Sequence, residues 1–558
     1  MNKKKMPENC IVFRMILLIF SITCNVVEYF QHMTKFPKVF LPVLILFCLT
    51  LIIFIPAMGI KFSWVDDGWD ILMCQKFINY AKSLDFKNFF NLFFETANGR
   101  FRPVYWLWLI SNYLIGGNNP AIHYLLHFAL IFATSFFIFK TVFLLTKSKW
   151  ASFFSGALFL INPINTENWY RLGPQEPIVG FFSILSIYFL IKQKYKWLPI
   201  VFLGFAFLSK ESACALLPAV IVLYLGTRLF LKKRDLTLER YSIAGLIFFG
   251  IIILVTSLTR SGYSQFYVFD PREIIHRFLV YTKISLENFE PFLGILGTTF
   301  LLRMIFFFKK ADLGKIDEMT VWEIFFGFWV VFFFVVQSPW VYVMTRYMLP
   351  ATIGLFVFMG IELNQLSNIL KKQKIFTFFV FIFAIFLLFF LSGNLLNIIN
   401  YGRRSAHGTT NVQKMTSLIA ENVPKNGRVF LNFAKGEGTI ELVVETGMHL
   451  ELFYDRSDIK VDYFDMDNLP QTPYFVVSGT PAPFRYSEEV IEDQIKIKPS
   501  MEIKSTGEVP IITSPWNLLK QLVKKSTRFV LYKEKFDFTG IYSPYYLKDY
   551  WKFYHVKT

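Results

Sequence analysis

Long runs of Leu, Ile, Val and Phe recur along this chain, and Lys and Arg gather in every second loop between them. That alternation constrains the fold more than any other feature. Most runs are near the roughly 20 residues that a helix needs to cross a hydrocarbon layer, and several are shorter. They are Val39–Ile60, Pro120–Thr146, Trp150–Asn162, Pro177–Ile191, Trp197–Leu208, Ser212–Phe230, Tyr241–Leu258, Pro291–Phe308, Val321–Val336, Tyr347–Ile361 and Ile375–Ile398. A soluble protein has to cover itself with polar residues. A chain of 558 residues that is 54% hydrophobic, with 68 Phe and a mean hydropathy of +0.44, does not. The expectation is an all-α polytopic membrane protein with about 11–12 transmembrane helices.

Loop charge sets the orientation. Lys147 and Lys149, then Lys192, Lys194 and Lys196, then Lys232, Lys233 and Arg234, then Lys309 and Lys310, then Lys371, Lys372 and Lys374 mark cytoplasmic loops. The alternate segments face outward: the loop with Asp66, Asn165–Glu176, Ser209–Glu211, Arg260–Glu290, Ser338–Arg346 and the tail after Asn400. Reading Phe101–Ile115 as another crossing would invert all later loops. It is expected instead as a helix in the outer interface, where Trp106 and Trp108 are at home. The run Ile11–Val27 behind its MNKKK leader is left open as an extra span or an interfacial helix.

The chain divides into an N-terminal segment (1–38), a multi-span region (39–400, with a first outer loop over 61–118) and a C-terminal part (401–558). There polar residues return, a helix is expected over Asn411–Glu421, and strands over Arg428–Phe433, Ile459–Phe464, Tyr474–Ser478 and Arg528–Lys533. This is the pattern of a small extracytoplasmic α/β domain. It contains no Gly-rich phosphate loop and no Ser–His–Asp signature.

The net charge of +18 belongs to the loop pattern and to anionic lipid headgroups, not to nucleic acid. Five scattered cysteines give neither a disulfide framework nor a zinc site. No cofactor is expected and no metal ligands are assigned, and the sequence leaves open whether a divalent metal takes part.

The candidate chemistry lies on the outward side. Asp66 and Asp67 are adjacent, so their repulsion raises the pKa of one of them, a partly dry site raises it further, and a carboxylate tuned in this way can take a proton from an attacking group. The bland alternative is a solvated loop. Lys210 and Arg346 break the inside bias and need partners, either a lipid-linked phosphate or Glu211, Glu176 and Glu167. His123 and His127 share a helix face, but nothing acidic lies between them, and a hydrogen-bonded pair fits better than zinc.

The ordered series resembles the GT-C superfamily of integral-membrane glycosyltransferases, in particular the protein O-mannosyltransferase and aminoarabinose-transferase branches. It consists of Asp66-Asp67 after the first span, Arg100-Phe-Arg102-Pro103, His123-xxx-His127, Asn162-Pro-x-x-Thr166-Glu167, Gly173…Glu176, Leu208-Ser-Lys210-Glu211 and Arg346-Tyr-Met-Leu-Pro350. It runs from residue 39 to about 365. The chain departs from the family where Asn162 stands in place of a common His. Its tail resembles neither the tetratricopeptide repeats nor the β-trefoil domains of some relatives.

The resemblance implies transfer of a sugar from a polyprenyl-phosphate donor to an envelope glycan, lipid or protein acceptor on the outer face of a plasma membrane. It gives Asp67, with Asp66, the catalytic part in an inverting displacement. Lys210 and Arg346 would hold the donor phosphate, with Arg102, Glu167, Arg171, Glu211, His123 and His127 around the sugar and phosphate. A polytopic transporter or lipid-linked glycan translocase is the alternative, although no paired repeats are visible. A third reading is a non-catalytic envelope-binding scaffold.

Overall fold

The apolar runs fold as helices. The computed structural model describes residues 40–63, 66–95, 101–258, 267–309, 317–370, 376–432, 439–464, 473–479, 501–504 and 550–556. Ile11–Val27, Arg100, Arg260, Lys310, Lys371, Lys372, Lys374 and Arg528–Lys533 lie outside the described residues.

The helices follow in order: α1 (Phe40–Ala57), α2 (Asp67–Lys82), α3 (Phe86–Glu95), α4 (Pro103–Gly116), α5 (Pro120–Thr146), α6 (Lys149–Leu160), α7 (Thr166–Trp169), α8 (Glu176–Lys192), α9 (Leu198–Ser209), α10 (Leu216–Leu229), α11 (Leu236–Leu258), α12 (Pro271–Lys309), α13 (Glu318–Gln337), α14 (Leu349–Leu370), α15 (Phe376–Asn422) and α16 (Thr439–Tyr454). Among the described residues, six helical stretches are long and apolar enough to cross a membrane: Phe40–Ala57, Pro120–Thr146, Glu211–Leu229, Leu236–Val255, Glu318–Gln337 and Thr345–Ile369. On α11, Ile243, Leu246, Ile247, Ile253 and Leu254 stay exposed, as expected of a face that meets lipid.

One large core binds the bundle. Leu46 and Ile53 of α1, Phe139 of α5, Leu158 of α6, Phe207 of α9, Trp329 of α13 and Phe356 of α14 are all buried in it. A second core forms beneath the first outer loop, where Phe77 of α2, Phe93 of α3, and Tyr105, Trp106 and Leu109 of α4 pack against Leu130 and Ile178. Trp106 is therefore a core residue, only 2% exposed with its ring against Phe77, and not an interfacial anchor.

Two expected boundaries vanish. Residues 271–290 of the outward segment and the span after them form the single 39-residue α12. Likewise residues 376–398 and Asn411–Glu421 are parts of one 47-residue α15. Its first half reaches the bundle core through Phe390 and Ile398, and its last turns carry Val412, Met415 and Ile419 onto a sheet.

That sheet has β1 (Arg428–Asn432), β2 (Lys460–Tyr463), β3 (Tyr474–Gly479), β4 (Met501–Lys504) and β5 (Tyr550–Val556) in the order β2-β1-β3-β5-β4. The β1 strand is parallel to both β2 and β3, with Val429 level with Val461 on one side and Phe475 on the other. Parallel neighbours need a crossover, and α16 supplies the one from β1 to β2. The pairs β3–β5 and β4–β5 are antiparallel.

Candidate functional site

The α2 helix begins at Asp67, in the first outer loop after α1 ends at Ala57. Asp66 stands at the N-cap with φ of +71°, a left-handed conformation that Asp tolerates better than most residues. Its carbonyl accepts the N–H of Asp70 at 2.9 Å and so closes the first helical turn. A second loop lies against this turn at Gly173, where a Cβ would fall 2.5 Å from that of Asp66. Only glycine permits that approach.

The two neighbouring carboxylates have different surroundings. Asp66 is partly exposed and accepts a hydrogen bond from Arg171 Nη2 at 3.1 Å. Asp67 is 2% exposed. Its Oδ2 accepts the Ser63 N–H at 2.7 Å, and its Oδ1 is buried with no hydrogen-bond partner among the described residues. Burial pushes the Asp67 pKa up to about 7, helped by the Asp66 charge and opposed by the Ser63 N–H and by Arg171. One turn on, Asp70 is also buried and accepts the Tyr105 hydroxyl at 2.7 Å. Burial first, then the charge of Asp66, holds its pKa well above the ordinary carboxylate range.

From Asp66 a string of ion pairs runs across the loops. Arg171 Nη1 meets Glu167 Oε1 at 2.5 Å, and the same oxygen receives Arg346 Nη1 at 3.4 Å. The Tyr347 ring lies beside two cations, with Arg346 5.3 Å and Lys210 Nζ 4.6 Å from its centroid. Lys210 pairs with Glu176, a side chain only 1% exposed. Beside it Glu211 takes Arg102 in a two-point bond, 2.7 Å from Nη2 and 3.0 Å from Nε, while Arg102 Nη1 donates to Gln175 at 2.8 Å. Lys210 is held in extended conformation between the end of α9 and the 3-10 turn Glu211–Ala215.

Asp66, Asp67, Arg171, Glu167, Arg346, Lys210, Glu211 and Arg102 thus share one region, at the starts of α2 and α4, around α7, after α9 and just before α14. The two cations that break the charge rule have Glu176 and Glu167 as partners. Each keeps further donors, because a lysine carries three N–H groups and an arginine five. Next to Lys210 and Glu211 opens a cavity of about 360 Å³. Phe249, Ile252 and Ile253 of α11 and Val336 of α13 form its apolar wall, and Tyr347 and Gln337 also line it.

The histidines do other work. His123 Nε2 donates to the Gly117 carbonyl at 2.8 Å and His127 Nε2 to that of Asn168 at 2.6 Å. A carbonyl only accepts, so both rings carry their proton on Nε2. His127 thereby anchors the residue next to Glu167. Asn162 caps the turn Pro163–Asn165 by accepting the Ile164 N–H at 3.0 Å. Among the described residues no group of three or more His, Cys, Asp or Glu side chains is arranged to hold a metal ion.

Beside the Asp66–Asp67 turn, the buried groups Asp70, Glu445 and His449 escaped the sequence. Asp70 was discoverable, since Asp66, Asp67 and Asp70 fall within one helical turn. Glu445 and His449 carried only an i, i+4 spacing far along the chain.

No protein-family model matches this chain, and no curated protein matches its sequence. Solved structures do resemble its fold. ArnT from Cupriavidus metallidurans bound to undecaprenyl phosphate aligns with a TM-score of 0.48 at 12% identity, over 78% of this chain and 93% of that one. The same protein in the apo state gives 0.47 at 12% identity, over 82% and 96%.

Proposed function

We propose that this protein is a membrane glycosyltransferase that moves a sugar from a polyprenyl-phosphate donor to an acceptor on the extracytoplasmic face, with inversion at the anomeric carbon. The observation that carries this reading is the ion-pair string from Asp66 to Arg346, joined to the Lys210–Glu176 pair through the Tyr347 ring, beside a cavity walled by apolar helices. A polyprenyl phosphate has the same division, an apolar tail joined to an anionic head. The ArnT structure bound to undecaprenyl phosphate holds a carrier of this class.

In the proposed step the acceptor X–H loses its proton to Asp67 Oδ1, the buried oxygen with no hydrogen-bond partner among the described residues. The X–C1 bond forms as the C1–O bond to phosphate breaks, and the bonding pair leaves on polyprenyl phosphate. Lys210 and Arg346 stabilise the charge that grows on the leaving oxygens. Glu176 and Glu167 keep these cations in place before the donor arrives. Asp66 holds Arg171 and so keeps that cation beside, but not on, the base.

The charged groups lie at the ends of helices on one side of the bundle, a distribution that favours transfer at the membrane border over translocation through its middle. Asp67→Asn, assayed in membranes supplied with a radiolabelled polyprenyl-phosphate sugar, is expected to lose at least about a hundredfold in transfer with folding intact. Undiminished transfer in that variant removes the base assignment. If Asp66→Asn is equally active, the mechanism fails.

A further inference from the structure

The face of α16 that meets the Asp66–Asp67 turn is built for contact. Glu445, His449 and Phe453 recur every four residues and so form one stripe. Each touches a different part of the segment that carries the candidate base. Glu445 Oε2 accepts the Gly68 N–H at 3.0 Å. His449 Nε2 donates to the Ser63 carbonyl at 3.1 Å, and the Phe453 ring stacks on Phe62 with centroids 5.6 Å apart. Glu445 and His449 are 4% and 3% exposed.

Gly68 records the closeness of the fit. A Cβ there would sit 2.4 Å from Glu445 Oε2 and 3.0 Å from His449 Cδ2. The Ser63 backbone is gripped on both sides, since its carbonyl accepts the His449 Nε2–H and its N–H donates to Asp67 Oδ2. Burial lowers the His449 pKa to about 4, against the pull of its bond to Ser63, so the ring is neutral at ordinary pH.

We propose that Glu445 and His449 are positioning residues for transfer: the C-terminal α/β unit is part of the site and fixes the direction in which Asp67 presents its second oxygen. The proposal rests on the reading of Asp67 as base. Neither residue touches the reacting atoms. Both act through the backbone at Ser63 and Gly68, and neither belongs to the cation string that would hold the donor.

The test uses the full-length protein in detergent, with Glu445→Ala, Glu445→Gln, His449→Ala, Gly68→Ala and the double variant Gly68→Ala/Glu445→Ala. Glu445→Ala and His449→Ala are expected to lower kcat by about ten- to a hundredfold, with KM for the polyprenyl-phosphate sugar within about twofold of wild type, as misplacement of a base by a fraction of an ångström does. Glu445→Gln still offers an oxygen to Gly68 and recovers most of the rate. Gly68→Ala matches Glu445→Ala, and the double variant is no worse than either, because both break one contact. Should Glu445→Ala aggregate, Gly68→Ala and Glu445→Gln carry the comparison. Wild-type kcat in Glu445→Ala and Gly68→Ala, or a donor KM raised with kcat unchanged, overturns the proposal while leaving Asp67 as base. An active Asp67→Asn overturns the underlying reading instead.

Discussion

Two adjacent aspartates of the same chemistry lie in opposite surroundings. Asp66 is partly open to solvent and tied to Arg171. Asp67 is buried, with one oxygen bonded and a pKa of about 7. A base must be deprotonated to work, so transfer is expected to rise as pH climbs through about 7 and then level off. That acid limb should be absent from the residual rate of Asp67→Asn, and a rate–pH profile between 5 and 9 is the check. The cations call for a paired design. Lys210→Met alone strands Glu176 in a dry site and is expected to cost about 3–5 kcal/mol of stability. Adding Glu176→Gln should restore most of the thermal stability while the donor KM stays raised at least about tenfold, measurable by melting in detergent and by steady-state kinetics.

Glycine contacts between loops and helices set the geometry of the site as firmly as its charges do. At Gly173 the loop lies directly on Asp66, so Gly173→Ala is expected to push that carboxylate off Arg171 and to lower transfer by about tenfold or more. Glycan transfer assays on correctly folded protein decide it. Most helices were legible in the sequence because hydrophobic length is a local signal. Pro120–Thr146 agrees with expectation to the residue, and the Asn119 side chain caps its start. The two long helices were misread for physical reasons. Pro291 looks like a helix start, yet in α12 it is an interior residue. In α15 hydrophobicity drops after Ile398 because the helix changes partners, not because it ends. The acids and cations of the outer loops were readable as breaches of the charge rule. Their pairing was not, since Glu167 meets Arg346 from 179 positions away. The contact of Glu445 with Gly68 spans 377 positions and left no local trace.

Among the described residues, three cores share one frame. The bundle core holds the cation loops, the satellite core seats α2 and Asp70, and the core of the sheet carries α16 onto the first turn of α2. The linking member between bundle and sheet is α15, about 70 Å long at 1.5 Å per residue. A rod clamped at both ends transmits rotation. One residue inserted between Tyr401 and Asn411 would turn everything beyond it by about 100° around the helix axis and lift it by about 1.5 Å, while seven would bring the angle nearly back but add about 10 Å. The tail therefore cannot be exchanged for a foreign one by matching its sheet alone: a graft must also keep the phase of the helix that delivers it.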